Sequence, residues 1–438
     1  MPTGTGAAAA LPAALDIVER GFAEANPRSA GQYRSALAVL PGGNTRTTLY
    51  YSPFPVVFTE GEGQHLTDLD GHVYTDFLGE YSAGLYGHSH PVIMGAARAA
   101  LERGMALGGP NTYEAELAGL IERRYPSVEL LRFTNSGTEA NLMALATARV
   151  CTGRTHTLVF DGCYHGSVLS YRGESPINAP FPVVVSRYND IDTTVALIER
   201  HRHDLAAVIL EPLLGGGGVI AAAPEFLHAV REVTTRHGIV LILDEVMTSR
   251  LAPGGLQGVH GVRPDLTTFG KYLGGGFSFG AFGGARDLMG RYDPASNGAI
   301  THPGTFNNNV LSMAAGAAGL REVFTPDVVV AHNARGDDLR RAMNDVFASA
   351  RVEMSATGVG SLIGIHFQTT PIARPDDVRP ATQQRALLHL EMMARGYYFA
   401  RRGYLALPLP LTAGDLDGFV AALGDVVAEH AHLLRSRS

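Results

Sequence analysis

The chain has 438 residues, 45% hydrophobic and 18% charged, enough apolar sequence for a large core and for roughly two or three domains. A formal net charge of −7 argues against a nucleic-acid partner, which needs a basic surface, and no apolar run reaches membrane-spanning length: "LAAVILEPLLGGGGVIAAAP" is broken by Glu211, Pro212 and four glycines. The only cysteines are Cys151 and Cys163, which fits a reducing cytoplasm, and the His88/His90 and His201/His203 pairs lack metal-ligand spacing, so no metal is expected.

The start, "MPTGTGAAAALPAAL", has no basic stretch ahead of its apolar residues. It reads as a disordered tail and not as a secretion signal. Residues 1–65 mix helix-like pattern with the turn-rich "LPGGNTRTTLYYSPFPVVF". Residues 66–325 alternate short β-rich runs with helical stretches. "LLRFTN", "HTLVF", "FPVVVS", "LAAVIL", "IVLILDE" and "LTTFG" read as strands; "EANLMALATARV", "TTVALIERHR" and "EFLHAVREVTTRHG" read as helices. Uniformly apolar strands between helices predict an α/β fold with a parallel sheet covered on both faces. "PGTFNNNVLSMAAGAAGLREVF" reads as a long helix, and residues 326–438 as a smaller α+β domain. No internal repeat or low-complexity linker interrupts this order.

Ligands of open α/β sheets sit at the carboxyl ends of the strands, and three chemically loaded spots fall there. In "FTNSGTEANLMAL" a strand runs into Ser136-Gly137-Thr138 and a helix begins. Ser136 and Glu139 have capping-box spacing, so on its own this is a capped helix. The same geometry is a phosphate cup: the glycine admits close approach, the hydroxyls donate, and a helix N-terminus attracts an anion. Asp244 and Glu245 end an otherwise wholly apolar strand, where an unpaired carboxylate is costly and should face a cation or a donor. Lys271, in "TFGKYLGGG", is the sole lysine beside 34 arginines. A GC-rich coding bias accounts for the arginines but not for the survivor. An arginine cannot be deprotonated, whereas a buried lysine can become a neutral amine and form an imine. A phosphate cup, a carboxylate for a cationic nitrogen and an imine-forming amine are the three handles of pyridoxal 5'-phosphate.

Together, "NSGTEANLMALATAR", "FDGCYHG", "ILEP", "LILDEVMTSR", "TFGKYLGGG" and "PGTFNNN" resemble the class III (ω-type) aminotransferases of PLP fold type I, in preserved order from about Pro41 to the end. Among them the chain is most similar to the β-amino-acid aminotransferases acting on β-phenylalanine, and next to the glutamate-1-semialdehyde aminomutases. The resemblance implies a large domain built on a mainly parallel seven-stranded sheet, plus a small domain from the C-terminal part and the N-terminal segment. It implies that Ser136, Gly137 and Thr138 hold the phosphate, Tyr164 and Val246 flank the ring, Asp244 pairs with the pyridine nitrogen and Lys271 forms the imine. Thr305 would reach the cofactor of a neighbouring subunit in a homodimer; an equal reading makes it the N-cap of the following helix. The glycines 215–218 do not open a first βα unit, so a dinucleotide site is discounted.

The same resemblance assigns Arg46 to the donor's carboxylate and Arg402 to the α-carboxylate of the keto acid, with the adjacent Arg401 as the alternative. Aminomutases usually read "NSPVR" here, with proline where this chain has Arg46. Tyr81 would line the side-chain pocket. The implied activity is ping-pong transfer of an amino group from a β-amino acid to 2-oxoglutarate or pyruvate, with Lys271 moving the proton. Aminomutase and general ω-amine transaminase activities are the alternatives.

Overall fold

The computed structural model describes residues 6–434, with side chains from residue 10 onward. Seven strands form the central sheet, in the order Leu130–Thr134, Gly280–Gly284, Leu266–Gly270, Val240–Asp244, Leu205–Leu210, His156–Phe160, Val183–Ser186. The last five run parallel to one another. Leu205–Leu210 and Val240–Asp244 are buried along their whole length, as the unbroken apolar runs require of strands covered on both faces. Helices Gly137–Thr152 and Pro224–His237 pack on this sheet, and Phe160, Val208, Phe226 and Ile242 belong to one core.

The Gly280–Gly284 strand, "GAFGG", is antiparallel to both neighbours and is invisible to a reading based on apolar alternation. Its glycines admit neighbouring backbone. A Cβ on Gly280 would lie 2.1 Å from the Ser136 carbonyl oxygen, and one on Gly284 would lie 2.0 Å from that of Asp265.

A second core, including Phe347, Ile363, Leu405 and Phe419, lies among helices Pro326–Ala350 and Ala413–Glu429 and the antiparallel sheet Ser355–Val359, Leu362–His366, Tyr404–Ala406. A third sheet joins Phe58–Glu62, His65–Asp68 and Val73–Asp76 to Tyr397–Tyr398, so both ends of the chain share one element across residue 65. Arg250, fully buried, ties the parts: its Nε donates to Ser361 Oγ (3.1 Å) and its carbonyl accepts from Asn333 Nδ2 (2.8 Å). Burial pulls its guanidinium down to about 10.

Two expectations about elements need correction. The alanine-rich start is not a tail: a helix spans Gly6–Ala25, because alanine is the best helix former and Leu15, Val18 and Phe22 find apolar partners beside helix Thr382–Ala394. Residues 1–5 of that stretch lie outside the described residues. The "PGTFNNN" segment is turn, not helix. The helix begins only at Val310, where Asn309 accepts from the N–H groups of Leu311 and Ser312, and it ends at Ala318 before a π-turn over Gly319–Val323. Asn309, not Thr305, is therefore the N-cap.

Candidate active site

The parallel strands deliver their C-terminal residues to one edge. Asp244 ends Val240–Asp244, in register with Thr268 of the adjacent strand. It is buried, and donors meet both of its oxygens: Asn141 Nδ2 and His165 Nδ1, each 2.8 Å from Oδ2, and the Val246 N–H, 3.0 Å from Oδ1. Asn141 is itself oriented, since Thr268 Oγ1 donates to its Oδ1 at 2.6 Å and its amide also donates to the His165 carbonyl at 2.9 Å. Burial works against a charged His165, but Cys163 and the contact with Asp244 outweigh it and hold the imidazole well above its ordinary value. Donors on every side suit the anionic form of a carboxylate.

Beside it, the loop after Leu130–Thr134 turns into helix Gly137–Thr152. The predicted capping box forms by half. Ser136 Oγ accepts from the Glu139 N–H at 3.2 Å, but the Glu139 carboxylate turns back one residue further and takes the Asn135 N–H at 2.6 Å. The N–H groups of Ser136, Gly137 and Thr138 have no hydrogen-bond partner among the described residues, as the opening turn of a helix demands. Gly137 packs so closely under Val246 that a Cβ would lie 2.9 Å from both of its methyl groups. The Thr138 hydroxyl lies against Gly166, whose φ of 130° only glycine adopts comfortably.

Lys271 follows the Leu266–Gly270 strand in a left-handed conformation, φ 57°, a strained geometry for a side chain with a Cβ. Its amine makes no hydrogen bond or ion pair among the described residues. Burial, with help from Arg46 and Arg402 and against the pull of Asp244, brings it down to about 8. Tyr164 enters from the loop after His156–Phe160, half-exposed, its N–H held by Glu211 Oε1 at 2.8 Å. The other Glu211 oxygen takes the Gly215 N–H at 3.0 Å, and burial pushes this carboxyl up to about 7.

The mouth is built on a left-handed turn. Gly79, Glu80, Tyr81 and Ser82 all have positive φ. Buried Asp76 holds the turn, accepting from the N–H groups of Leu78 (2.7 Å) and Gly79 (3.0 Å) and facing His88 Nε2 at 3.0 Å. The strain points Glu80 at Arg46, with which it forms an ion pair. The guanidinium groups of Arg46 and Arg402 each lie 5.4 Å from the Tyr81 ring centroid, and Arg402 is also 5.1 Å from that of Tyr404. Arg401 points away, its Nη1 3.5 Å from the Ser52 carbonyl. Thus Lys271, Asp244, Tyr164, Tyr81, Arg46 and Arg402 gather at one place. Thr305 does not join them within the chain: it is exposed on a turn whose Asn307 accepts from Asn135 Nδ2 at 3.1 Å. A separate cavity of about 710 Å³ shares Glu80 but not Lys271, and lies between helix Pro27–Leu37, Phe58 and Gly275–Phe277.

Sequence reasoning passed over Asn141, His165, Glu80 and Glu211. "FDGCYHG" and "ILEP" carry the family resemblance, but only folding shows that His165 reaches Asp244 across 79 positions. Glu391, Glu429 and His430 bring three ligand-type side chains together elsewhere, but Arg395 already bridges both glutamates there.

Residues 48–400 match the family model Aminotransferase class-III. The chain is 47% identical to the β-phenylalanine transaminase of Variovorax paradoxus over 97% of its own length and 98% of that protein. The crystal structure of the β-phenylalanine aminotransferase from that organism superposes with a TM-score of 0.96, covering 98% of this chain and all of the other. A glutamate-1-semialdehyde 2,1-aminomutase of Desulforudis audaxviator is 35% identical over 89% of this chain and 94% of that one. A transaminase solved with PLP bound is 30% identical, with a TM-score of 0.86 over 92% and 98%.

Proposed function

This chain belongs to the class-III aminotransferases, pyridoxal 5'-phosphate enzymes of fold type I, and we propose that it moves the amino group of a β-amino acid to a 2-oxo acid in two half-reactions. The observation that carries the reading is the pair of guanidinium groups on Tyr81, close to a half-buried Lys271 whose amine has no partner among the described residues. The residues fit the cofactor: free N–H groups at a helix start for a phosphate, a donor-lined carboxylate for the pyridine nitrogen, and a depressed amine for the aldehyde. Bound there, pyridoxal 5'-phosphate supplies an aldehyde that takes up amino groups and an electron-withdrawing ring that eases loss of the neighbouring proton.

Ser136, Gly137 and Thr138 would hold the phosphate, with Tyr164 and Val246 on either side of the ring. Asp244, fixed by Asn141 and His165, would keep the pyridine nitrogen protonated. Lys271 would anchor the aldehyde and, once a substrate amine displaces it, carry the proton between carbon atoms; an amine near 8 is suited to that task. Arg46 would exchange Glu80 for the donor's carboxylate, and Arg402 would take the α-carboxylate of the acceptor. Two arginines are needed because the carboxylate of a β-amino acid lies one carbon further from its nitrogen than that of an α-keto acid. Thr305 would serve the neighbouring subunit. In support, Leu101, Met105, Leu107 and Phe306 are exposed, and Asn111 and Asn308 join their two segments at 2.9 Å, a surface suited to burial in a homodimer.

The test separates the half-reactions. β-Phenylalanine should convert the cofactor to its aminated form, and Arg46→Ala should lower that rate constant over KM by roughly 10- to 100-fold. Arg402→Ala should act mainly on the keto acid. If glutamate semialdehyde is isomerised without an acceptor while β-phenylalanine is inert, the aminomutase reading replaces this one.

A further inference from the structure

Glu211 of "ILEP" and the glycines 215–218 meet beside Tyr164. Strand Leu205–Leu210 runs parallel to His156–Phe160, so Glu211 and the Tyr164 loop leave the sheet at the same edge. Glu211 is buried, and its carboxylate spans two segments: Oε1 accepts from the Tyr164 N–H at 2.8 Å and Oε2 from the Gly215 N–H at 3.0 Å. Its backbone is fixed as well, because the Tyr188 hydroxyl donates to its carbonyl at 2.7 Å. The glycines form a wall that touches the Tyr164 loop. A Cβ on Gly216 would sit 3.3 Å from Tyr164 Cβ, and one on Gly217 would sit 3.0 Å from the Gly162 carbonyl oxygen. Side chains at these positions would force the two segments apart, which accounts for glycines that serve no dinucleotide. The Tyr164 ring is half-exposed, so its backbone, more than packing, sets where it stands.

Two N–H groups converging on one side chain need two acceptor atoms. An anionic carboxylate offers both, whereas a protonated acid or an amide turns a donor toward one of them. Burying the anion is costly, and here both of its oxygens take backbone N–H groups and neither takes a cation. We propose that Glu211 is a positioning residue for amino transfer: its carboxylate clamps the Tyr164 loop to the glycine wall and so holds the Tyr164 ring at the face of the cofactor. The inference rests on the reading of Tyr164 as a ring-flanking residue. Protonation opens the clamp, because one oxygen then carries a hydrogen toward an N–H. Burial pushes this carboxyl up to about 7; His165 opposes the rise and Asp244 adds to it. Tyr164 and Tyr188 also face it, and Arg172 stands beyond the wall. The clamp is therefore closed above about 7 and open below it.

Amide hydrogen exchange in the cofactor-free protein reads the clamp. Near pH 8, Glu211→Gln should speed exchange at Tyr164 and Gly215 about tenfold and leave strand Leu205–Leu210 unchanged. In the wild type the same two amides, measured against that strand, should lose about tenfold in protection between about pH 8 and pH 6. Visible circular dichroism of bound pyridoxal 5'-phosphate reads the ring. With cofactor saturating near pH 8, Glu211→Gln should lose a large part of the band, and the difference from the wild type should vanish toward pH 6; the cofactor's own titrations, common to both proteins, cancel in that difference. Gly216→Ala crowds Tyr164 without altering the carboxylate and should weaken the band at both pH values. Unchanged exchange at Tyr164 and Gly215 in Glu211→Gln, or a band difference that is the same at both pH values, overturns the clamp. Misfolding would raise exchange throughout the sheet, and if Glu211→Gln does not fold, the wild-type pH profile and Gly216→Ala still decide. A band unchanged in Tyr164→Ala removes Tyr164 from the ring face, a failure of the site reading and not of the clamp, which the exchange rates judge by themselves.

Discussion

A lysine at φ 57°, half-buried and without a partner among the described residues, is expensive to keep and chemically specific. Only the neutral amine attacks an aldehyde, so capture of pyridoxal 5'-phosphate by the cofactor-free protein should quicken close to tenfold per pH unit below about 8 and level off above it. Stopped-flow absorbance of the bound cofactor measures this; a rate that ignores pH over that range would exclude Lys271 as the point of attachment. Stability follows the same group. The folded protein holds the amine below its unfolded value of 10.5, so the unfolded chain binds more protons between about 8 and 10.5, and the stability of the cofactor-free protein gains as pH rises through that window. Below about 8 the cost of a buried cation is present in full. Lys271→Met should therefore melt higher than the wild type at pH 7 in cofactor-free form, with the gap closing above pH 8. The same variant should retain no borohydride-fixed cofactor and lose roughly 100- to 10,000-fold in transfer rate.

On the proposed reading, helix Gly137–Thr152 is the element that makes an anion site out of a capped start. Gly137→Ala gains about 1 kcal/mol of helix propensity but forces a Cβ to within 2.9 Å of Val246. The expected outcome is a cofactor bound about tenfold more weakly, by equilibrium dialysis, with little change in the melting of the cofactor-free protein. Gly21→Ala is the contrast: inside helix Gly6–Ala25, with nothing within 4 Å of the new methyl, it should add about 0.5–1 kcal/mol in urea denaturation. These elements differ in how much the sequence revealed. Apolar runs such as "LAAVIL" and "LTTFG" announce buried strands because burial on both faces leaves no room for polar alternation. Lys271 and Asp244 were legible because their chemistry conflicts with their setting. The "GAFGG" strand carried no such signal, since its glycines answer to backbone from distant positions. The left-handed turn at Glu80 is set by Asp76 and His88, which come together only once the chain has folded.

At the scale of the whole molecule, Thr305 is the residue that one chain alone leaves without a task. It lies exposed on a turn fastened through Asn307 to Asn135, in the loop ahead of helix Gly137–Thr152, beside the exposed Phe306. If it completes the neighbour's phosphate site, two damaged chains can repair each other. Thr305→Ala should weaken cofactor binding roughly tenfold by removing one hydroxyl donor, and Lys271→Ala abolishes attachment. In a hybrid dimer of the two variants, one site combines both lesions. The other draws Lys271 from the first variant and an intact Thr305 from the second. Hybrids isolated with two affinity tags should therefore hold one tight cofactor per dimer and, at limiting cofactor, return about half of the wild-type rate. Were Thr305 to act only within its own subunit, the lysine-bearing site of the hybrid would keep the weak affinity of its parent, and mixing would restore nothing. The exchange thus tests shared sites through a binding constant, independently of which amino acid the enzyme prefers.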